Sequence, residues 1–320
     1  MSAEAPLSAE DAARFAANAE AIIDNVAGFI QGKREVISLA VTCLLAEGHL
    51  LLEDVPGVGK TSLARSIAAT LGMSWHRIQF TPDLLPSDVT GVSIFHQGSA
   101  TFEFHPGPVF AHVVLADEIN RASPRTQSAL LEVMEERTVT VDGVTHQVPR
   151  PFLVLATQNP IEMDGTFPLP EAQLDRFLMS VSIGYPDLES EVQVLANSHR
   201  GLSVDELTPV GSAEDVRRMV ALARSVHVDH SVMEYVVRLV SATRSTPGVR
   251  LGASPRGSVG LLRASQVAAA MTGRTYVSPV DVQRLAVPVL AHRLVLADVE
   301  ADASVRAQAI EQVVAGVPVG

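Results

Sequence analysis

The stretch Leu50-Leu51-Leu52-Glu53-Asp54-Val55-Pro56-Gly57-Val58-Gly59-Lys60-Thr61 constrains this chain more than any other. Its leucines read as a buried strand, its glycines as a tight loop, and the residues from Ser62 onward as a helix. Strand, glycine loop and helix in that order converge backbone N–H groups on one point, where the positive end of the helix also acts. That is a cradle for phosphate. Pro56, Gly57, Val58, Gly59, Lys60, Thr61 and Ser62 are its candidate residues. In such a loop Lys60 reaches the β- and γ-phosphates of a nucleotide, and Thr61 offers its hydroxyl to Mg²⁺. Asp54 stands where the general pattern has glycine. A turn that merely needed flexible glycines would gain nothing from Lys60, and lysine is scarce here: Lys33 is the only other one.

The chain's 320 residues suffice for two domains. Hydrophobic residues make up 47% of it, which excludes global disorder, and aromatics only 4%, so aliphatic side chains must fill the core. A formal net charge of −12 argues against a surface that binds nucleic acid throughout. Cys43 is the single cysteine, so no intrachain disulfide forms; in its apolar helix-like run it reads as a small core residue. The first residues carry Glu4, Glu10 and Asp11 without an apolar leader, and no apolar run is long enough to span a bilayer. A soluble, cytoplasmic protein is the expectation.

Residues 1–30 predict an amphipathic helix with Phe15, Ile22, Ile23, Val26 and Phe29 on its apolar face, and a second helix runs from beyond Gly32 to about Ala46. Short apolar strands then alternate with helices: Leu50–Leu52, Ile78–Phe80, Val113–Ala116, Phe152–Ala156 and Val181–Ile183. This rhythm predicts a parallel sheet covered on both faces. Two segments interrupt it as β-hairpins. Ser93–Phe95 and Thr101–Phe104 form one; Thr138–Val141 and Val144–Val148 form the other, around Asp142-Gly143, a pair suited to a type I′ turn. After Tyr185-Pro186 the strand signal stops. Helices are clearest over Ser212–Ser225, Ser231–Ser245, Ser254–Met271 and Ser278–His292; Ser254-Pro255 and Ser278-Pro279 read as N-cap and first-turn pairs. The expected division is an α/β nucleotide-binding core over 1–186 and an all-helical domain over 187–320.

The other site candidates lie at strand ends. Val113–Ala116 runs into Asp117, placed to hold Mg²⁺ beside Thr61, and Glu118, placed to orient and deprotonate an attacking water. The strand ending at Ala156 leads into Thr157-Gln158-Asn159, where Asn159 is either a γ-phosphate or water ligand or a turn residue before Pro160. Arg176 precedes the last strand. Arg256 sits in the first turn of a helix, where the helix dipole disfavours a cation unless an anion is nearby; a solvated arginine is the alternative. His227 and His230, three apart, lack an evident third metal ligand, and His96 and His105 flank the first hairpin as solvent-facing histidines.

These motifs in this order resemble AAA+ ATPases and, more narrowly, the MoxR family. The resemblance rests on Glu53–Thr61, in which Asp54 fits the family's usual form, on Phe80–Asp88, Asp117–Ala122, Ala156–Pro160 and Leu169–Phe177, and it covers nearly the whole chain. It implies a P-loop AAA+ core with a parallel five-stranded sheet and two inserted β-hairpins, followed by an all-α lid. Lys60 and Thr61 become the Walker A pair, Asp117 and Glu118 the Walker B pair, Asn159 sensor 1, Arg256 sensor 2, and Arg176 an arginine finger for a neighbouring subunit. ATP and Mg²⁺ are the implied cofactors and a hexameric ring the implied homo-oligomer. The hairpins would face the ring's pore or a partner. The implied activity is chaperone-like remodelling or maturation of partner proteins or metalloenzymes, with a von Willebrand factor A domain protein. A metal-chelatase motor subunit shares such hairpins and differs in its tetrapyrrole-binding partner. A DNA-associated motor would need basic hairpins, yet residues 93–104 and 138–148 contain no Lys or Arg; a non-hydrolysing scaffold would have no use for Glu118.

Overall fold

The computed structural model describes residues 6–319 except 56, 99, 160–164, 202 and 299–302. Helices α1 (Ala9–Phe29) and α2 (Arg34–Leu45) lead into β1 (Leu50–Glu53), α3 (Lys60–Thr70), β2 (Trp75–Gln79) and α4 (Pro86–Thr90). Next come the hairpin β3 (Gly91–His96) and β4 (Thr101–Pro106), then β5 (Val113–Asp117) and α5 (Pro124–Glu136). The second hairpin, β6 (Thr138–Val141) and β7 (Val144–Gln147), precedes β8 (Leu153–Gln158), α6 (Glu171–Leu174) and β9 (Met179–Val181). Beyond it lie α7 (Leu188–His199), α8 (Ala213–Arg224), α9 (His230–Thr243), β10 (Val249–Leu251), α10 (Pro255–Met271), α11 (Pro279–Leu290), β11 (Val295–Leu296) and α12 (Ala303–Gly316).

The five long-range strands pair in parallel in the order β2-β5-β8-β1-β9. Parallel pairing points every strand the same way, so the sheet has two chemically distinct edges: one where strands begin and one where they end. Leu50, Leu51 and Leu52 are fully buried. Leu50 and Leu52 join the core against α1, α2, α3 and the C-terminal helices; Leu51 joins a second core with Ile78, Phe80, Leu130, Leu131 and Phe177. Burying each such side chain stabilises the fold by about 1.5–3 kcal/mol. The first core is continuous from Phe15 in α1 to Tyr235 in α9 and Leu285 in α11, because α1 packs on α8 and α10 as well as on α2 and α3.

Three expectations shift. The second strand lies at Trp75–Gln79 rather than Ile78–Phe80, because β2 is an edge strand whose outward His76, Arg77 and Gln79 hide it from a search for apolar runs. The last strand ends at Val181, since the Ile183 N–H is taken by the Asp54 carboxylate and leaves the ladder. The C-terminal part is not wholly helical: β10 and β11 form an antiparallel clip too short to show a period in sequence. Both hairpins form as expected and stay apart from the main sheet. No described helix is long and apolar enough to cross a membrane.

Candidate active site at the strand ends

The loop between β1 and α3 rises from the edge where the strands end. Gly57 and Gly59 take φ of 88° and 95°, a left-handed backbone that side-chain-bearing residues rarely adopt. A Cβ added to either would meet no atom within 4 Å, so both face open space rather than packed protein. Gly57, Gly59, Lys60 and Thr61 line a cavity of about 260 Å³ together with Asp117, Glu118, Asn159, Arg77 and Gln79. Val58 packs against the neighbouring core, Ser62 lies in the first turn of α3, and Pro56 lies outside the described residues. Lys60 Nζ donates to the Asp54 carbonyl at 2.6 Å. Burial lowers its ammonium below the ordinary lysine value, while Asp54, Asp117 and Glu118 pull it back up.

Strand register brings the acids here. Gln79 of β2 lies opposite Asp117 of β5, and Ala116 lies opposite Ala156 of β8. The Thr157 hydroxyl donates to Asp117 Oδ1 at 2.7 Å and accepts from the Glu118 N–H at 2.8 Å. Glu118 adopts a left-handed backbone (φ 57°, ψ 50°), which costs of order 1–3 kcal/mol and turns its side chain out of the strand direction. Its carboxylate accepts from Gln79 Nε2 at 2.7 Å and pairs with Arg121 at 3.2 Å. Asp117 Oδ2 accepts from Arg77 at 2.6 Å. Asn159 is buried at the end of β8. The open glycine cradle, the Thr61 hydroxyl and the Asp117 carboxylate form a donor set that fits a nucleotide phosphate and an oxygen-seeking cation such as Mg²⁺. The motifs contain Thr157 and Arg121 but assign them no role, and Gln79 and Arg77 lie outside them; the parts played by Thr157, Gln79 and Arg77 depend on which strands are neighbours.

Arg176 and Arg256 are not at this cavity. They converge at the opposite edge, where the strands begin: Leu178 donates to the His49 carbonyl just before β1. There Arg176 pairs with Glu135 at 3.2 Å and donates to the Leu131 carbonyl at 2.7 Å, and Arg256 pairs with the other oxygen of Glu135. Asp175 locks the helical part against the sheet. It accepts from Ser254, the N-cap of α10, at 2.8 Å and from the buried Arg293 at 2.9 Å. These residues border a second cavity of about 580 Å³ that Arg150, Arg224 and Arg263 also line, an arginine-rich hollow in an acidic chain. Glu171 lies within 3.6 Å of Arg250.

The model of the ATPase family associated with various cellular activities (AAA) matches residues 49–179, and that of the AAA lid domain matches residues 241–313. Chaperone MoxR1 of Mycobacterium tuberculosis is 44% identical over 91% of this chain and 79% of its own length. Protein MoxR of Paracoccus denitrificans is 34% identical over 89% of each. A crystallised candidate ATPase from Cytophaga hutchinsonii superposes with a TM-score of 0.88 at 38% identity, covering 97% of both chains. The phosphate cradle, the paired acids at its mouth, the strand order and these likenesses agree: this chain belongs to the MoxR family of AAA ATPases.

Proposed function

We propose that the chain hydrolyses ATP with Mg²⁺ at the cavity between β1, β5 and β8, and uses the cycle to remodel or mature partner proteins in the cytoplasm. The observation that carries this reading is the convergence of Lys60, Thr61, Asp117, Glu118 and Asn159 on one open cavity. Gly57 to Thr61 bind the phosphates, with Lys60 as their counter-charge. Thr61 and Asp117 would hold Mg²⁺, which when bound neutralises charge developing on the phosphates. Asp117 must then exchange its Arg77 partner for the cation. Glu118 receives the proton of the attacking water, and Asn159 orients that water or the γ-phosphate.

Arg176 and Arg256 lie at the far edge of the sheet from their own Lys60, so they serve a neighbouring subunit's triphosphate in a hexameric ring. An arginine-lined hollow is suited to that anion. The lid over 187–320 would shift against the core over 1–186 as nucleotide comes and goes, which requires the Asp175 clasp with Ser254 and Arg293 to yield and α1, packed on α10, to follow the lid. The relative named chaperone MoxR1 supports a chaperone role, and the further proposal is a partner with a von Willebrand factor A domain together with its client.

Glu118→Gln tests the chemistry. It should bind ATP normally and hydrolyse it about 10²–10⁴-fold more slowly; near-normal turnover would remove Glu118 from the reaction. Held in ATP, the same variant should retain a von Willebrand factor A domain protein from native lysate. Retention of a tetrapyrrole-binding subunit or of DNA-processing factors instead would overturn the partner assignment.

A further inference from the structure

The outer face of the first hairpin carries a group of side chains for which ATP hydrolysis has no use. Register pairs Val92 with His105, Ile94 with Glu103 and His96 with Thr101, so His96, Glu103 and His105 share one face of the β3–β4 ribbon. His96 Nε2 lies 2.9 Å from Glu103 Oε2, and one donor atom from each of the three residues falls within 4.8 Å of the others. Among the described residues this is the one such group of three histidine, cysteine or carboxylate side chains. We propose that it binds a divalent transition-metal ion of the Zn²⁺ or Co²⁺ kind through His96, Glu103 and His105.

Donor chemistry selects the ion. Two imidazoles and one carboxylate suit Zn²⁺, Co²⁺ or Ni²⁺; Mg²⁺ and Ca²⁺ take all-oxygen shells. The scaffold is held from behind. On the opposite face Phe95 packs on Phe102 with ring centroids 5.1 Å apart, and Phe104 stacks at 3.9 Å on His146 of the second hairpin. That anchoring keeps the histidine face turned outward. Between Gly91 and Pro106 there is no Lys or Arg to compete for Glu103. A surface ion pair between His96 and Glu103 would account for two of the three groups, but not for His105 directing a donor to the same point. All three residues are exposed, so a bound ion would keep open positions for water or for a ligand from a docked protein. Such a site holds its ion exchangeably.

The test uses the untagged full chain with its nucleotide site saturated with ADP and Mg²⁺. Co²⁺ is titrated while its visible d–d absorption is followed, and Zn²⁺ is then added as competitor. Saturable binding of one Co²⁺, displaced by Zn²⁺, is expected. His105→Ala and Glu103→Gln should each weaken it more than about tenfold, while Ser93→Ala on the opposite face should leave it unchanged. Retained ADP affinity shows that the variants fold. Independently of any variant, Zn²⁺ should shift the imidazole ¹H–¹⁵N signals of His96 and His105 and leave those of His227 and His230 in place. Equal binding by His105→Ala, signals that move at His227 and His230 instead, or no saturation below about 1 mM would each overturn the proposal.

Discussion

The buried carboxylate of Asp54 accepts hydrogen bonds from the Ser182 hydroxyl and the Gly184 N–H, each at 3.1 Å, and from the Ile183 N–H. It thereby ties the entry of the phosphate loop to the chain leaving β9. Asp54→Gly would restore the general loop pattern and strand these donors, so unfolding in denaturant should show a loss of about 1–3 kcal/mol; an unchanged midpoint would mean that water replaces the carboxylate without cost. The loop itself was legible because a lysine after two glycines has few structural uses. Asp54's role was not, since its partners lie some 130 residues away in sequence and meet it only through the β1–β9 pairing. Thr157 makes the same point. An apolar strand ending in acids announces Asp117 and Glu118, whereas a threonine bridging them is ordinary until β8 is known to lie beside β5.

At the level of elements, legibility follows burial. Strands buried on both faces, β1, β5 and β8, stood out as apolar runs, while the edge strand β2 showed only its buried end. The second hairpin was readable from its turn: Asp142 and Gly143 adopt φ of 50° and 79°, as a type I′ turn requires. Gly143→Val forces a β-branched residue into that left-handed backbone at about 1–2 kcal/mol. Hydrogen exchange in β6 and β7 should speed up accordingly, with ATP affinity unchanged. A fall in ATP affinity would instead couple this hairpin to the nucleotide cavity. The proline after Ser254 marked the start of α10 in sequence, yet nothing there indicated that the anion facing Arg256 is Glu135 of the same chain.

At the level of the whole molecule, buried polar groups join the layers. His49, fully enclosed before β1, accepts from the Val154 N–H at 3.0 Å and donates to the Met134 carbonyl at 3.1 Å, so it is held neutral. Burial, and then nearby Arg137, pushes its pKa well below the usual 6.5; burial and then Arg293 do the same for His292. In the unfolded chain both imidazoles take up protons below about pH 6.5, so that state binds more protons and stability falls as pH drops through this window. Urea midpoints should decline between pH 7.5 and 5.5, and less so in His49→Gln if that variant still folds; a flat wild-type profile would contradict the burial of the two rings. Arg293 and Asp175 fasten the helical part to the sheet. Removing one member of so buried a pair costs about 3–5 kcal/mol, so Arg293→Ala should lower the thermal midpoint sharply, and an unshifted midpoint would show the clasp to be idle.

Parallel strands also give the subunit a direction. The phosphate cradle sits where the strands end and the paired arginines where they begin, so a contact joining one copy's arginines to another's cradle uses two different surfaces and has no two-fold axis. Repeated, such a contact closes into a ring or winds into a spiral, and it never stops at a symmetric pair. In that arrangement the smallest complete catalytic unit is a junction between chains. Each chain would then receive at one edge and offer its arginines at the other, so the junctions would all face the same way round.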